Sequence, residues 1–422
     1  MKKRKLFYLM ALLPLFVACG NKNVSTTTNF PGSEMPYTSV SKPTITSSIP
    51  TTPTATATIS PTVTPTQIPS QTSAVTEQIS TISQIKEIGN DMVDGQEGVE
   101  VSFKANYVKL ITDNTDRLML FVDSKSYINV RVSSDQFNDY LKNRYLNCVY
   151  LVRGMVTKHN NQVEVVYKNL ENVTSTPNKF DYSNITKTCS KIEEVYDDIS
   201  NISLTNKKNG VGEIVTFNGV VISTDRSDSN SKAVFYDNNH VITVISEKKI
   251  CDGKSDIGKE YTITGITSVK NGSPAVLLLD ISLSDKTIEI DYKNAISISP
   301  SYFSKWYHLS SNMKDPDYAD FAKLYLITGY VGYDTSRNKA WYLGLTDTKD
   351  GSLSDTGITT SIKGVYLMNY LNLSDSDVQN SVYADAFIEQ KKISVYCSLS
   401  QFDSQNHAWK VYSIEETLKI VE

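Results

Sequence analysis

One strand pattern recurs three times at a nearly constant interval, and that recurrence constrains the fold more than any other feature of this chain. Val99-Glu100-Val101-Ser102-Phe103-Lys104-Ala105, Glu213-Ile214-Val215-Thr216-Phe217-Asn218-Gly219 and Lys323-Leu324-Tyr325-Leu326-Ile327-Thr328-Gly329 each alternate apolar and polar residues and end on a small one. Alternation of this kind is the signature of a half-buried β-strand. Phe103, Phe217 and Ile327 then correspond, 114 and 110 positions apart. A second pattern keeps the interval: Tyr150-Leu151-Val152-Arg153-Gly154, Tyr261-Thr262-Ile263-Thr264-Gly265 and Ser394-Val395-Tyr396-Cys397, with Gly154 and Gly265 separated by 111. Solenoid repeats run to only ~20–50 residues, so the sequence contains three copies of a domain.

Within each copy the order is strand, strand, strand, helix or link, strand, strand. In the first, strands at about Val99 to Leu110, Arg117 to Val122 and Tyr127 to Val132 precede a helix opened by Ser133 or Ser134, with Phe137, Tyr140 and Leu141 at helical spacing. Cys148 to Val156 and Gln162 to Tyr167 follow, joined through Asn160-Asn161. The second copy replaces the helix by a short link and closes with a hairpin at Asn271-Gly272, a strong turn pair. In the third, a helix capped by Ser374 stands in the same place. A short helical segment precedes each first strand: Ile82, Ile85 and Ile88; Ile192, Val195 and Ile199; Tyr302, Trp306 and Leu309. This order resembles the OB-fold, a five-stranded barrel. An SH3-like barrel or an open sandwich also has five short strands, but neither is expected to place a helix after the third. The expected class is therefore mainly all-β, with three tandem OB-like barrels over residues 77–176, 177–285 and 286–422.

Ahead of the barrels lie two segments of different character. Lys2, Lys3, Arg4 and Lys5 precede an apolar run from Leu6 to Val17 that stops at Ala18-Cys19-Gly20. The pattern is that of an export signal, and Phe16-Val17-Ala18-Cys19 resembles the lipobox of bacterial lipoproteins, although Phe16 stands where that family usually places Leu. The resemblance implies a signal peptide over residues 1–18, a diacylglyceryl group on Cys19 and an extracytoplasmic chain lipid-anchored to the cell membrane. About twelve apolar residues are too few for a spanning helix of ~20. From residue 19 to 76 the sequence is rich in Ser, Thr and Pro, and eight of the 13 prolines fall between Pro31 and Pro69. Such a composition builds no core and is expected to form a disordered stalk.

Charge and motifs narrow the functional classes. Without the signal peptide, 38 basic residues face 46 acidic ones, a net charge of −8, and no Lys/Arg run occurs outside the signal. On that basis non-specific nucleic-acid binding is disfavoured. Cys148, Cys189, Cys251 and Cys397 show no CxxC spacing; they are expected as buried thiols, with a pairing of Cys189 and Cys251 left open. His159, His240, His308 and His407 are scattered, and no nucleophile elbow, HExxH, P-loop or GxGxxG string is present. No metal, no cofactor and no catalytic set is expected. Glu193-Glu194 and Asp197-Asp198 read as the solvated face of a helix. Asp225 to Asn230 and Ser374 to Asp377 read as turn or cap residues without the EF-hand pattern. The aromatic residues of the third copy are the candidate ligand platform. Tyr333, Trp341 and Tyr342 flank the loop between its first two strands, and Trp409 follows the loop between its last two, where OB-folds take ligands. The expected role is a non-catalytic surface lipoprotein whose modules bind a protein, glycan or other envelope ligand. The other candidate class is an accessory subunit of an extracytoplasmic enzyme such as a nuclease or hydrolase.

Overall fold

Strand alternation turns one side of each strand inward, and in a computed structural model of the chain the three copies close into barrels around those inward residues. The structure describes residues 78–421 except 114–115, 206–208, 225–230, 238–239, 271, 307–317, 335–340, 350–352, 354–363, 381–383 and 404–407. The first barrel comprises Glu97–Asp113, Asp116–Val122, Tyr127–Val132, Cys148–His159 and Gln162–Asn172. The second comprises Asn209–Thr224, Lys232–Tyr236, Val241–Ile245, Lys259–Lys270 and Ser273–Thr287. The third comprises Leu324–Asp334, Trp341–Thr346, Gly364–Leu373, Lys392–Asp403 and Ala408–Ser413. In each, strand one pairs with two, two with three, three with five in parallel, five with four, and four back with one. That closed path is the OB-like barrel.

The register confirms the repeat residue by residue. Phe103 pairs with Val152, Phe217 with Ile263, and Ile327 with Val395. The recurring glycine also has a reason. Gly154 and Gly265 sit at bulges against strand five, where a Cβ on Gly154 would lie 2.2 Å from the Val166 carbonyl oxygen and one on Gly265 2.7 Å from that of Leu277. Real Cβ atoms do not approach so closely, so both positions require glycine. In the third barrel the corresponding position holds Cys397, fully buried, and the bulge moves to Leu399/Gln401. All four described cysteines are buried free thiols, and burial pushes the thiol of Cys397 upward in pKa.

Helices sit where the sequence places them, with shifted bounds. Ile82–Asn90 begins with a capping box in which Thr81 Oγ1 accepts from Gln84 N at 3.2 Å and Gln84 Oε1 accepts from Thr81 N at 2.8 Å. Ile82 and Ile85 are fully buried, but Ile88, expected on the same stripe, is 41% exposed. Ile192–Thr205 buries Ile192, Val195 and Ile199 completely. In the third copy the segment is a 3₁₀ turn, Pro300–Trp306, followed by Tyr318–Phe321; Leu309 lies outside the described residues. The helix after strand three of the first barrel starts at Asp139, not near Ser133, because Asn138 accepts from Leu141 N at 3.2 Å and caps it. Ser133 opens a turn instead, its carbonyl accepting from Gln136 and Phe137. The short link of the second barrel is the 3₁₀ turn Gly253–Asp256, and Asp375–Gln379 follows Ser374 in the third. Short strands, Ile79–Ser80, Lys187–Thr188 and Ile296–Ile298, pair in parallel with strand one of each barrel; the sequence reading did not anticipate them.

Candidate functional site

OB-folds take ligands on the outer face of strands two and three, and in the first two barrels that face is already covered. In the first barrel Met119 and Phe121 point into the core, so alternation turns Leu118, Leu120 and Val122 outward. Each is nevertheless at most 2% exposed, because they pack with Val108 and Ile111 against Val211, Ile214 and Ile266 of the second barrel. The second barrel repeats the arrangement. Val234, Tyr236, Val241 and Ile222 pack against Leu324, Tyr412 and Ile414 of the third. Ile214 and Leu324, like Val108 and Ile222, occupy corresponding positions of the repeat, so one docking mode is used twice.

The connecting segments clasp both junctions. Phe180-Asp181-Tyr182 and Ile290-Asp291-Tyr292 recur 110 positions apart and supply side chains to the two junction clusters, Tyr182 buried and Phe180, Ile290 and Tyr292 partly so. Phe180 meets Tyr182 edge-on at 5.1 Å, and Tyr292 stacks on Tyr396 at 4.4 Å. Burial pushes the phenols of Tyr182 and Tyr292 up to about 12. At the second junction Ser223 Oγ donates to the Ser413 carbonyl at 2.8 Å and the Val241 amide to the Ala322 carbonyl at 2.9 Å. In the first two barrels, packing of the next barrel thus occupies the outer face of strands two and three.

The first junction leaves a polar cleft of about 340 Å³ beside the covered face. One wall is the first barrel: Lys86 of the leading helix, Tyr127 and Asn129 of strand three, and the Asn160-Asn161 turn between strands four and five. Both turn residues have positive φ, 50° and 60°, which Asn tolerates and a two-residue hairpin requires. The other wall is the second barrel: Asp198 and Asn201 of its helix, with Gly212 and Glu213 of strand one. Gln162 donates to the Val211 carbonyl, and Tyr127 Oη lies 3.4 Å from the Gly212 carbonyl; these contacts tie the walls together. Lys86 Nζ stands 3.9 Å over the Tyr127 ring. Burial lowers its pKa, opposed by the carboxylates of Glu213 and Asp123. Asp198, expected on a solvated face, is only 5% exposed; it accepts from the Thr267 hydroxyl and from the Glu213 amide at 3.1 Å. It falls at the edge of the stripe formed by Val195, Ile199 and Ile202, which is why its partner Asp197 is solvated and it is not. On strand three, Ile128 and Val130 face the core, so Asn129 faces outward with Tyr127. Its Oδ1 is buried and has no hydrogen-bond partner.

Of the four aromatic residues expected to form a ligand platform on the third barrel, Trp409 alone has its side chain among the described residues. Trp409 is 3% exposed and belongs to the core with Val411, its indole meeting Phe321 at 6.2 Å; it offers no face to a ligand. Alternation on strand five sends it inward. Tyr333, Trp341 and Tyr342 lie on adjacent strands, Tyr333 opposite Leu343 and Tyr342 opposite Asp334, but their side chains are outside the described residues. His308, His407 and the turn Asp225 to Asn230 are also outside them. Among the described residues no group of three or more His, Cys, Asp or Glu could hold a metal ion, and no helix is long and apolar enough to cross a membrane. The lipobox residues and Cys19 precede the described region.

No protein-family model and no curated protein matches this sequence. Among solved structures the chain is similar to the Ifi202 HINa domain in complex with 20-bp dsDNA, at 13% identity over 44% of this chain and 98% of that one, TM-score 0.23. It is also similar to a replication protein A heterotrimer bound to ssDNA, at 20% identity over 25% and 82%, TM-score 0.19. A putative aspartyl-tRNA synthetase from Leishmania major Friedlin matches at 13% identity over 26% and 23%, TM-score 0.20. The chain spans about a quarter of the length of the synthetase structures it matches. The likeness is one of fold. The expectation that charge disfavours nucleic acid is nonetheless withdrawn, because two of these three neighbours are DNA complexes. Net charge averages over every face, whereas recognition depends on the charge of one.

Proposed function

We propose that this chain is a non-catalytic, lipid-anchored binding protein of the cell envelope. Diacylglyceryl-modified Cys19 would hold it to the membrane, and the Ser/Thr/Pro-rich segment would carry the barrels outward. With a root-mean-square span of ~5–6 Å per square root of residue number, a flexible coil of that length covers on the order of 40 Å. The barrels act as one packed series, and ligand is taken at the cleft of the first junction. The observation that carries this reading is the covering of two OB ligand faces by the next barrel beside an open polar cleft at the turn between strands four and five. That turn is where OB-folds also contact ligands.

Metabolic labelling with a tagged fatty acid tests the anchor. The wild-type chain incorporates label and fractionates with membranes; Cys19→Ala does neither. Equal labelling of both would refute the anchor.

A further inference from the structure

Resting on the reading of this chain as a binding protein, we infer that the cleft of the first junction is a binding site for a sugar unit of a glycan. The starting point is Asn129. Its side-chain oxygen is buried beside a cavity large enough for a ligand and meets no donor from the protein. Buried polar atoms nearly always have a partner, and one without calls for a group the protein itself does not supply. A ligand group that both donates and accepts satisfies this amide in either orientation.

The remaining walls state what else the ligand carries. Asn90, Asn160, Asn161 and Asn201 line the same cleft, and each primary amide both donates and accepts. Hydroxyl groups do the same, so adjacent hydroxyls on a ring match planar amides without leaving either unpaired. Lys86 adds a donor, Glu213 an acceptor, and Tyr127 an aromatic flank. A phosphate or carboxylate only accepts, and it would lie against the carboxylates of Asp198 and Glu213. An apolar ligand would leave the amides without partners. The cleft volume, about 340 Å³, lies at the small end of the roughly 300–1,000 Å³ usual for small-molecule sites, which suits one or two rings.

The second junction is an internal control. By strand register, Val122 opposite Tyr127 corresponds to Tyr236 opposite Val241, so Asn129 corresponds to Thr243. Val241 is buried in the junction cluster and its backbone is bonded to both Tyr196 and Ala322. At this strand-three position the second junction therefore places an apolar residue in the packed cluster, whereas the first places Tyr127 and Asn129 in the wall of the cleft.

The test uses the purified full chain, with glucose, galactose, N-acetylglucosamine and their β-linked disaccharides as probes in calorimetry and ligand-observed NMR. Inorganic phosphate and a thymidine oligonucleotide are run beside them. Asn129→Leu removes the unmatched oxygen, and Asn201→Trp fills the mouth from an exposed helix position. At least one sugar binds saturably, and both variants weaken it by about tenfold or more, as loss of a hydrogen bond to a buried group predicts. The melting midpoint of Asn201→Trp stays at the wild-type value. The inference is overturned if no sugar binds, if affinity stays within about twofold in Asn201→Trp, or if phosphate or the oligonucleotide occupies the cleft in place of sugar. Lipid labelling at Cys19 is read on the same preparations. Lost sugar binding with intact labelling refutes the glycan site alone, and lost labelling with intact binding refutes the anchor alone.

Discussion

Leu120→Ala separates a packed series of barrels from barrels joined like beads. Leu120 is on the outer face of the first barrel yet fully buried, in a cluster that the second barrel and the connecting segment complete. Truncation to Ala removes three carbons, roughly 2–2.5 kcal/mol of transfer free energy at ~0.8 kcal/mol per methylene. The cavity left in a junction that relaxes only partly raises the cost to about 3 kcal/mol. For a cooperative unit of two barrels that corresponds to about 6–12 °C in melting midpoint. Differential scanning calorimetry of wild type, Leu120→Ala and the exposed control Leu283→Ala, 54% exposed in wild type, reads the difference. The double mutant with Ile214→Ala, its neighbour across the junction, should fall short of additivity by about 0.5–3 kcal/mol. If Leu120→Ala melted with wild type, or if the first barrel unfolded in a separate transition unaffected by Ile214→Ala, the junction reasoning would be refuted.

Further expectations concern the ion pairs, the clasp and the core. Arg131 forks onto Glu164 at 2.7 and 3.1 Å and reaches Asp116 at 3.2 Å; Glu164 is 2% exposed. Arg131→Met should therefore destabilise by about 3–5 kcal/mol in urea titration, through loss of the guanidinium that faces this buried carboxylate. Tyr182 and Tyr292 titrate at about 12 in the folded chain, above ~10 when unfolded. Their contribution is fully present below pH ~10 and is lost as pH rises toward 12, so the melting midpoint falls over that interval. Replacing both with Phe lessens the fall, which other tyrosines raised by burial, such as Tyr107 and Tyr196, continue to drive. Trp409→Ala should cost about 3–5 kcal/mol as a core truncation while leaving sugar affinity of the folded fraction at the wild-type value; a selective loss of affinity would restore it to a ligand-contacting role.

The barrels were legible in the sequence because alternation, turn residues and a constant interval all act locally. Phe103, Phe217 and Ile327 could be aligned by eye, and strand pairing places them against Val152, Ile263 and Val395 as that alignment requires. Element starts were less legible, since Ser133 and Asn138 are both competent caps and only tertiary packing of Leu141 selects the later one. The junctions were not legible. Leu118, Leu120 and Val122 alternate with Met119 and Phe121 in an unbroken apolar run, which signals burial on both faces of a strand, but what covers the second face is not encoded locally. The repeated Asp-Tyr of the connecting segments was the available clue. The cleft was missed for the same reason: Lys86, Asn129, Asn160 and Asp198 come from four separate elements of two barrels. Trp409 belongs to the core instead of a ligand face, because aromatic content marks a large core as readily as a binding face.

The covering of the strand-two faces is the claim on which the rest depends, and thiol accessibility tests it most directly. The four described cysteines of the barrels are buried, so a cysteine introduced as Leu118→Cys or Val234→Cys in a Cys19→Ala chain reports its own surroundings. Both positions are at most 2% exposed and lie in the junction clusters. The account predicts that neither thiol reacts with a maleimide under native conditions, that both react once denaturant opens the junctions, and that Leu283→Cys reacts at once throughout. Native labelling of Leu118→Cys and Val234→Cys at the rate of Leu283→Cys would show open faces and contradict it.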